Sequence, residues 1–161
     1  MNLESWMIRK QKELFELWSK GLQEEFEWGF QLTSSPVVDD PVAIVIGRNP
    51  GIGEGPKKQG PPRPRVKQMF DSKFVFPHEA DCVVGGANNG PANRIRSMIF
   101  NKQKEILNNT IETNAHFFAS HEFSDLKAGW RQAKENGKQE LLERYDDLRQ
   151  EVICGLVERG D

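Results

Sequence analysis

The sequence predicts a mixed α/β domain with a short parallel sheet, because two strand-like segments lie between amphipathic helices. Residues 42–47 are apolar at every position, a pattern typical of a parallel strand that is buried on both faces. Residues 110–118 are rich in β-branched and aromatic side chains, which favours a second strand. Residues 3–28 carry apolar side chains at helical spacing and are predicted to form an N-terminal helix.

The C-terminal segment also has the spacing of a helix. Leu141, Tyr145, Leu148, Val152 and Leu156 are separated by steps of four or three residues, so we expect a helix that ends at Gly160. The short apolar run at 152–154 alone would also suit the start of a strand. Before it, a shorter helix is predicted to begin with an N-cap at Ser124 and to stop at Asn136-Gly137.

Composition indicates one soluble domain over residues 1–161, with 37% hydrophobic and 29% charged residues. No apolar run approaches the roughly 18 residues that a membrane span needs, and no secretory signal is evident, so we expect an intracellular protein, cytoplasmic or nuclear. Cys82 and Cys154 are far apart and belong to no Cys-x-x-Cys pair. They are predicted to be free thiols, and no metal or organic cofactor is expected.

Charge is distributed unevenly along the chain although the net charge is only −2. Residues 48–104 hold 11 basic and 4 acidic side chains, a net of +7, between two acidic segments. One interpretation is a solvated loop, rich in lysine and arginine, that has no binding role. The other is a surface that attracts polyanions. The glycine- and proline-rich residues 51–65 are predicted to form a long loop, and Pro91 to open a helix.

The residues that follow the first strand are the strongest candidates for chemistry. Ligands of open parallel sheets bind beyond the carboxyl ends of the strands, and Gly47–Gly51 occupies such an end. Gly47 and Gly51 allow the backbone to approach a ligand closely, and Pro50 stiffens the turn. Asn49 then presents a neutral amide that can hold and orient a water molecule.

A second candidate is Asn114, within the second strand. A buried asparagine among apolar neighbours is costly unless its amide is satisfied, and the amide-like edge of a ligand would satisfy it. The alternative is a structural asparagine that ties two loops together.

Together, Gly-Arg-Asn-Pro-Gly-Ile-Gly-Glu at 47–54 and Glu-Thr-Asn-Ala at 112–115 resemble the motifs of the uracil-DNA glycosylase superfamily. The form Gly-x-Asn-Pro-Gly looks most like its mismatch-specific and single-strand-selective branches. The resemblance covers roughly residues 42–118, strongly at the two motifs and loosely between them. It implies a three-layer α/β/α fold with a short parallel sheet.

The resemblance also implies an activity: hydrolysis of the N-glycosidic bond of uracil or a related base in single-stranded or mismatched DNA. Asn49 matches the residue that positions the hydrolytic water, and Asn114 matches the side chain that reads the edge of the flipped base. Phe70 is the favoured stacking aromatic, ahead of Phe74 and Phe76. Further substrate contacts are expected from Gly47, Arg48, Pro50 and Gly51, and DNA-backbone contacts from Lys57, Lys58, Arg63 and Arg65.

The sequence departs from the family at its C-terminal end. The family has two more parallel strands, and the last of them carries a histidine-containing motif. This sequence contains no counterpart of these strands or of the motif. His78, His116 and His121 lie elsewhere, although His116 is near enough to Asn114 to substitute. Three explanations stay open: a fragment of a longer protein, a partner or second copy that completes the sheet, or a shortened relative that is not an enzyme.

The alternative function is a non-catalytic nucleic-acid-binding module that uses the basic segment and a stacking phenylalanine. A small nucleotide-binding enzyme is disfavoured, because residues 47–54 lack both phosphate-binding glycine motifs, Gly-x-x-x-x-Gly-Lys and Gly-x-Gly-x-x-Gly.

Overall fold

A computed structural model describes residues 2–33, 37–48, 106, 109–120 and 122–158. It confirms a mixed α/β chain that combines helices with a parallel strand pair. The predicted loop at 51–65 and the helix opened by Pro91 lie outside the described residues. The described elements are α1 (Leu3–Leu17), a π-helical turn (Trp18–Leu22), β1 (Ala43–Gly47), β2 (Thr110–Asn114), α2 (Phe123–Glu135) and α3 (Gln139–Val157).

The two strands pair in parallel, in a register that runs from Ala43 opposite Thr110 to Gly47 opposite Asn114. The chain segment before β1 also reaches β2, because Thr33 forms an antiparallel bridge with Thr113. Within the described residues, β2 therefore has a neighbour on each edge, whereas β1 has one.

This arrangement corrects the prediction that the first strand is buried on both faces. All five residues of β1 are at least partly exposed, and Ile46 retains 45% of its accessible surface. The buried strand is β2, in which Ile111 and Thr113 are fully buried. The apolar run in β1 indicates a strand correctly, but the core packs on β2, which lies between β1 and the segment around Thr33.

The N-terminal helix is shorter than the predicted range 3–28. It begins as expected, with the Asn2 side chain accepting a backbone N–H of the first turn. Regular α-helix gives way to the π-helical turn, and the backbone leaves helical geometry at Gly21. The indole N–H of Trp18 then donates to the carbonyl of Phe26 at 2.9 Å, which holds the following turns against the helix.

Helix α3 confirms the helical interpretation of the C-terminal segment, and residues 152–154 lie inside it. It packs on α1, where the Trp6 ring approaches the backbone at Gly155 so closely that a Cβ there would lie 2.9 Å from the ring. Buried Lys10 of α1 bonds to Glu13 and to Glu151 of α3, each at 2.8 Å. No described helix is both long and apolar enough to cross a membrane.

Helix α2 ends at the predicted position, with Asn136 as its C-cap and Gly137 at a φ of 74°. Its N-cap is Glu122 rather than Ser124, and the Glu122 N–H donates to Asp125 at 3.0 Å. The helix lies tightly against the chain that follows the π-helical turn. A Cβ on Gly129 would lie 2.7 Å from the backbone carbonyl oxygen of Glu25.

We therefore expect Gly129→Ala to destabilise the protein by about 1–3 kcal/mol, because a backbone atom cannot move aside as a side chain can. Urea denaturation measures this change, and Gln132→Ala on the exposed side of α2 is the control, expected within about 0.5 kcal/mol of the parent. At an exposed helical position, replacing glycine by alanine stabilises a helix. If Gly129→Ala stabilised this protein in the same way, the result would contradict the close packing.

Candidate active site

The carboxyl ends of β1 and β2, which carry the two motifs, lie side by side. Gly47 pairs with Asn114, and the ladder continues past both strands. The Ala115 N–H donates to the Gly47 carbonyl at 2.8 Å, and the His116 N–H donates to the Arg48 carbonyl at 2.9 Å. The first two residues of the Gly-x-Asn-Pro-Gly motif are therefore fixed directly against the Thr-Asn-Ala motif.

Gly47 is required here by its contact with Asn114. A Cβ added to Gly47 would lie 2.6 Å from the Asn114 Oδ1 atom, well inside van der Waals contact. The Asn114 side chain is buried, with the residue only 6% exposed. The close approach that the structure shows at this glycine is that of the Asn114 amide, and an approach by a ligand stays a prediction.

Neighbouring residues on β2 have different partners, because successive side chains point to opposite faces of a strand. The Thr113 hydroxyl donates to the Leu32 carbonyl at 2.7 Å and ties the strand to the core. Asn114 and Glu112 share the other face. Burial raises the pKa of the Glu112 carboxyl, so the one acidic group of this motif is less readily ionised than an exposed glutamate.

Aromatic rings form a wall beside the two strand ends. The His116 ring lies 4.8 Å from the Trp130 ring and 5.5 Å from the Phe123 ring, measured between centroids. The Arg48 guanidinium lies over Phe123, 5.2 Å from its centroid. Sequence analysis did not assign Phe123 and Trp130 to the site, although their spacing of seven residues places them on one face of a helix.

His116 is held as a neutral imidazole at neutral pH. Burial lowers its pKa, the positive charge of Arg149 lowers it further, and Asp146 opposes them. The His116 Nδ1 atom is buried and has no hydrogen-bond partner among the described residues. Arg149 is held nearby, since its Nη1 donates to the Ala115 carbonyl at 3.4 Å. The strand ends thus carry a neutral amide and a neutral imidazole, with cations at the edge.

The remaining predicted site residues lie outside the described part of the chain. These predicted site residues are Asn49, Pro50, Gly51, Lys57, Lys58, Arg63, Arg65 and Phe70.

In the described part, no three His, Cys, Asp or Glu side chains are grouped closely enough to hold a metal ion.

No protein-family model, curated protein or solved structure matches this chain.

The Gly47–Asn114 contact predicts strong coupling between the two positions. Gly47→Ala should lower the free energy of unfolding by about 1–3 kcal/mol, because the new methyl displaces the buried amide. In an Asn114→Ala background the same change should cost less than about 0.5 kcal/mol, since the obstructing atoms are gone. Urea denaturation of the four proteins of this cycle gives the coupling energy, and additive effects would show that the amide does not lie against Gly47.

The lowered pKa of His116 predicts a pH-dependent stability. An imidazole whose pKa is lower in the folded than in the unfolded protein stabilises the fold above the ordinary value of 6.5, and this stability is lost as the pH falls below that value. Denaturation at pH 7.5 and pH 5.0 should therefore show a smaller loss for His116→Gln than for the parent. An equal loss in both proteins would contradict a buried neutral His116.

Proposed function

We propose that this chain is a DNA glycosylase that hydrolyses the N-glycosidic bond of uracil or a related base. The supporting observation is the register that sets Gly47 opposite Asn114 and so joins the two motifs at one end of the sheet. The proposal includes the three-layer α/β/α fold of the uracil-DNA glycosylase superfamily, which the motifs resemble.

Asn114 would recognise the base. Its buried amide offers one donor and one acceptor side, which suits the mixed edge of a pyrimidine. The contact with Gly47 limits how far this amide can move, so recognition would use a preorganised group. The base must leave the helical stack to reach such a position, which costs a few kcal/mol and favours single-stranded or mismatched DNA.

Asn49 would position the water. It follows Arg48 directly in the chain, and the Arg48 carbonyl accepts the His116 N–H beside the Thr-Asn-Ala motif. The water oxygen bonds to the sugar carbon as the bond from that carbon to the base nitrogen breaks. The base leaves with the bonding electrons, and the proton that the water loses passes to the released base or to solvent. Hydrogen bonds to the departing base stabilise its developing charge, and the chemistry requires no cofactor.

The uncharged Asn114 amide and the cations near it support a nucleic-acid substrate. Arg48 is exposed just after β1 and begins the segment 48–104, whose net charge is +7. In such an arrangement the cations bind the phosphates, and the neutral amide recognises the base. A DNA-modifying protein needs both kinds of contact.

The test is base release from uracil-containing single strands and mismatched duplexes at stoichiometric protein, scored by alkaline strand cleavage. Asn49→Ala and Asn114→Ala should each reduce the rate by about 100-fold or more, since each removes a positioned polar group. Asn136→Ala, which removes an exposed amide at the end of α2, is the matched control and should leave the rate unchanged.

Asn49→Ala should retain its affinity for DNA, because the residue acts on the water rather than on the phosphates. Base release that persists in both variants would reject the assigned roles. Failure of the parent to release any base, with salt-sensitive DNA binding retained, would reject the enzyme and favour the binding module.

A further inference from the structure

One side of α2 combines aromatic and basic residues. At 3.6 residues per turn, its five members fall within an arc of about 100° of the helix surface. The buried side of the helix, formed by Leu126, Gly129 and Ala133, lies next to this arc. The arc, here named the α2 basic face, consists of Phe123, Lys127, Trp130, Arg131 and Lys134.

The cations of the α2 basic face are available to a ligand. Lys127, Arg131 and Lys134 are exposed and form no ion pair with any described residue. The acids of α2 do not neutralise them: Asp125 accepts the Glu122 N–H on the opposite side of the helix, and Glu135 lies at the margin of the arc without an ion pair to a described residue. Elsewhere, ion pairs engage Arg9, Lys10, Lys20, Lys138 and Arg149.

The α2 basic face is continuous with the candidate active site. The Phe123 ring is the shared element, since the Arg48 guanidinium and the Lys127 ammonium each lie 5.2 Å from its centroid. Phe123 and Trp130 are both half-buried, so each residue keeps part of its surface accessible. Both rings also contact His116, which follows the Thr-Asn-Ala motif, and Trp130 contacts Phe26 and Tyr145 of the core as well.

We propose that the α2 basic face binds the single nucleic-acid strand that flanks the nucleotide in the active site. From Lys127 to Lys134 the helix rises about 10 Å, so the three cations are spread along the helix and can contact successive phosphates of an extended strand. Cations bind these phosphates, and the exposed parts of the two rings stack with bases, a combination typical of single-strand binding. This inference rests on the proposed function only for the class of ligand, which is nucleic acid. It does not require that the protein hydrolyses the N-glycosidic bond.

The experiment measures binding of a fluorescently labelled single-stranded oligodeoxynucleotide that contains no uracil, at increasing salt concentrations. Each phosphate contact in a single strand contributes about 0.7 to the slope of log affinity against log salt. Lys127→Ala/Arg131→Ala/Lys134→Ala should therefore reduce the slope by about 2. The control Lys12→Ala/Lys20→Ala/Arg144→Ala removes three exposed cations from α1, the π-helical turn and α3, and should change the slope little.

Equal slopes for the two triple variants would overturn the inference, as would a parent protein that does not bind the oligonucleotide. Tighter binding of a polyglutamate peptide than of the oligonucleotide would also overturn it, in favour of an acidic protein partner. The proposed function fails separately: loss of all base release with a binding slope that still depends on α2 rejects the glycosylase alone. Base release that requires Asn49, with a slope unaffected by the α2 substitutions, rejects only the α2 basic face.

Discussion

The pairing of Gly47 with Asn114 is the constraint on which the candidate site depends. Side chains alternate across a strand, so a shift of one residue in the β1–β2 register would turn the Asn114 amide to the opposite face relative to its neighbours on β1. It would also set Thr113 or Ala115 opposite Gly47, so the contact with the Asn114 amide that requires a glycine there would be lost. The hydrogen bonds that continue the ladder to Arg48 and His116 extend this register into the motif.

Strand β2 is attached to the buried core, whereas every residue of β1 is at least partly exposed. Thr113 bonds the Leu32 carbonyl, and the Phe117 N–H just beyond the strand donates to the buried Tyr145 hydroxyl of α3 at 2.9 Å. Tyr145 also stacks on Phe118, with centroids 4.4 Å apart. The segment that carries Asn114 is therefore fixed at both ends, which suits a recognition group, whereas β1 stays accessible.

Local pattern was enough to predict some parts of this fold and not others. The spacing of Leu148, Val152 and Leu156 predicts α3 because one helix face meets the core, and that depends on neighbouring residues alone. The apolar run in β1 predicts a strand but not its exposure, since burial depends on which strand the core covers. The end of α1 was missed because a run of helix-compatible residues conceals the break at Gly21.

Sequence patterns also predicted part of the geometry of the candidate site. The two strand-like segments carry Gly47 and Asn114, and parallel pairing of those strands brings the two residues together, whereas their roles in binding stay predictions. The aromatic wall was not found, since the contact of His116 with Phe123 and Trp130 depends on how α2 packs across the strand ends. That packing has a chemical consequence. It places the Phe123 ring of α2 between Arg48 at the end of β1 and Lys127 of α2, each 5.2 Å from the ring centroid, so a cation of the strand ends and a cation of the helix share one aromatic ring.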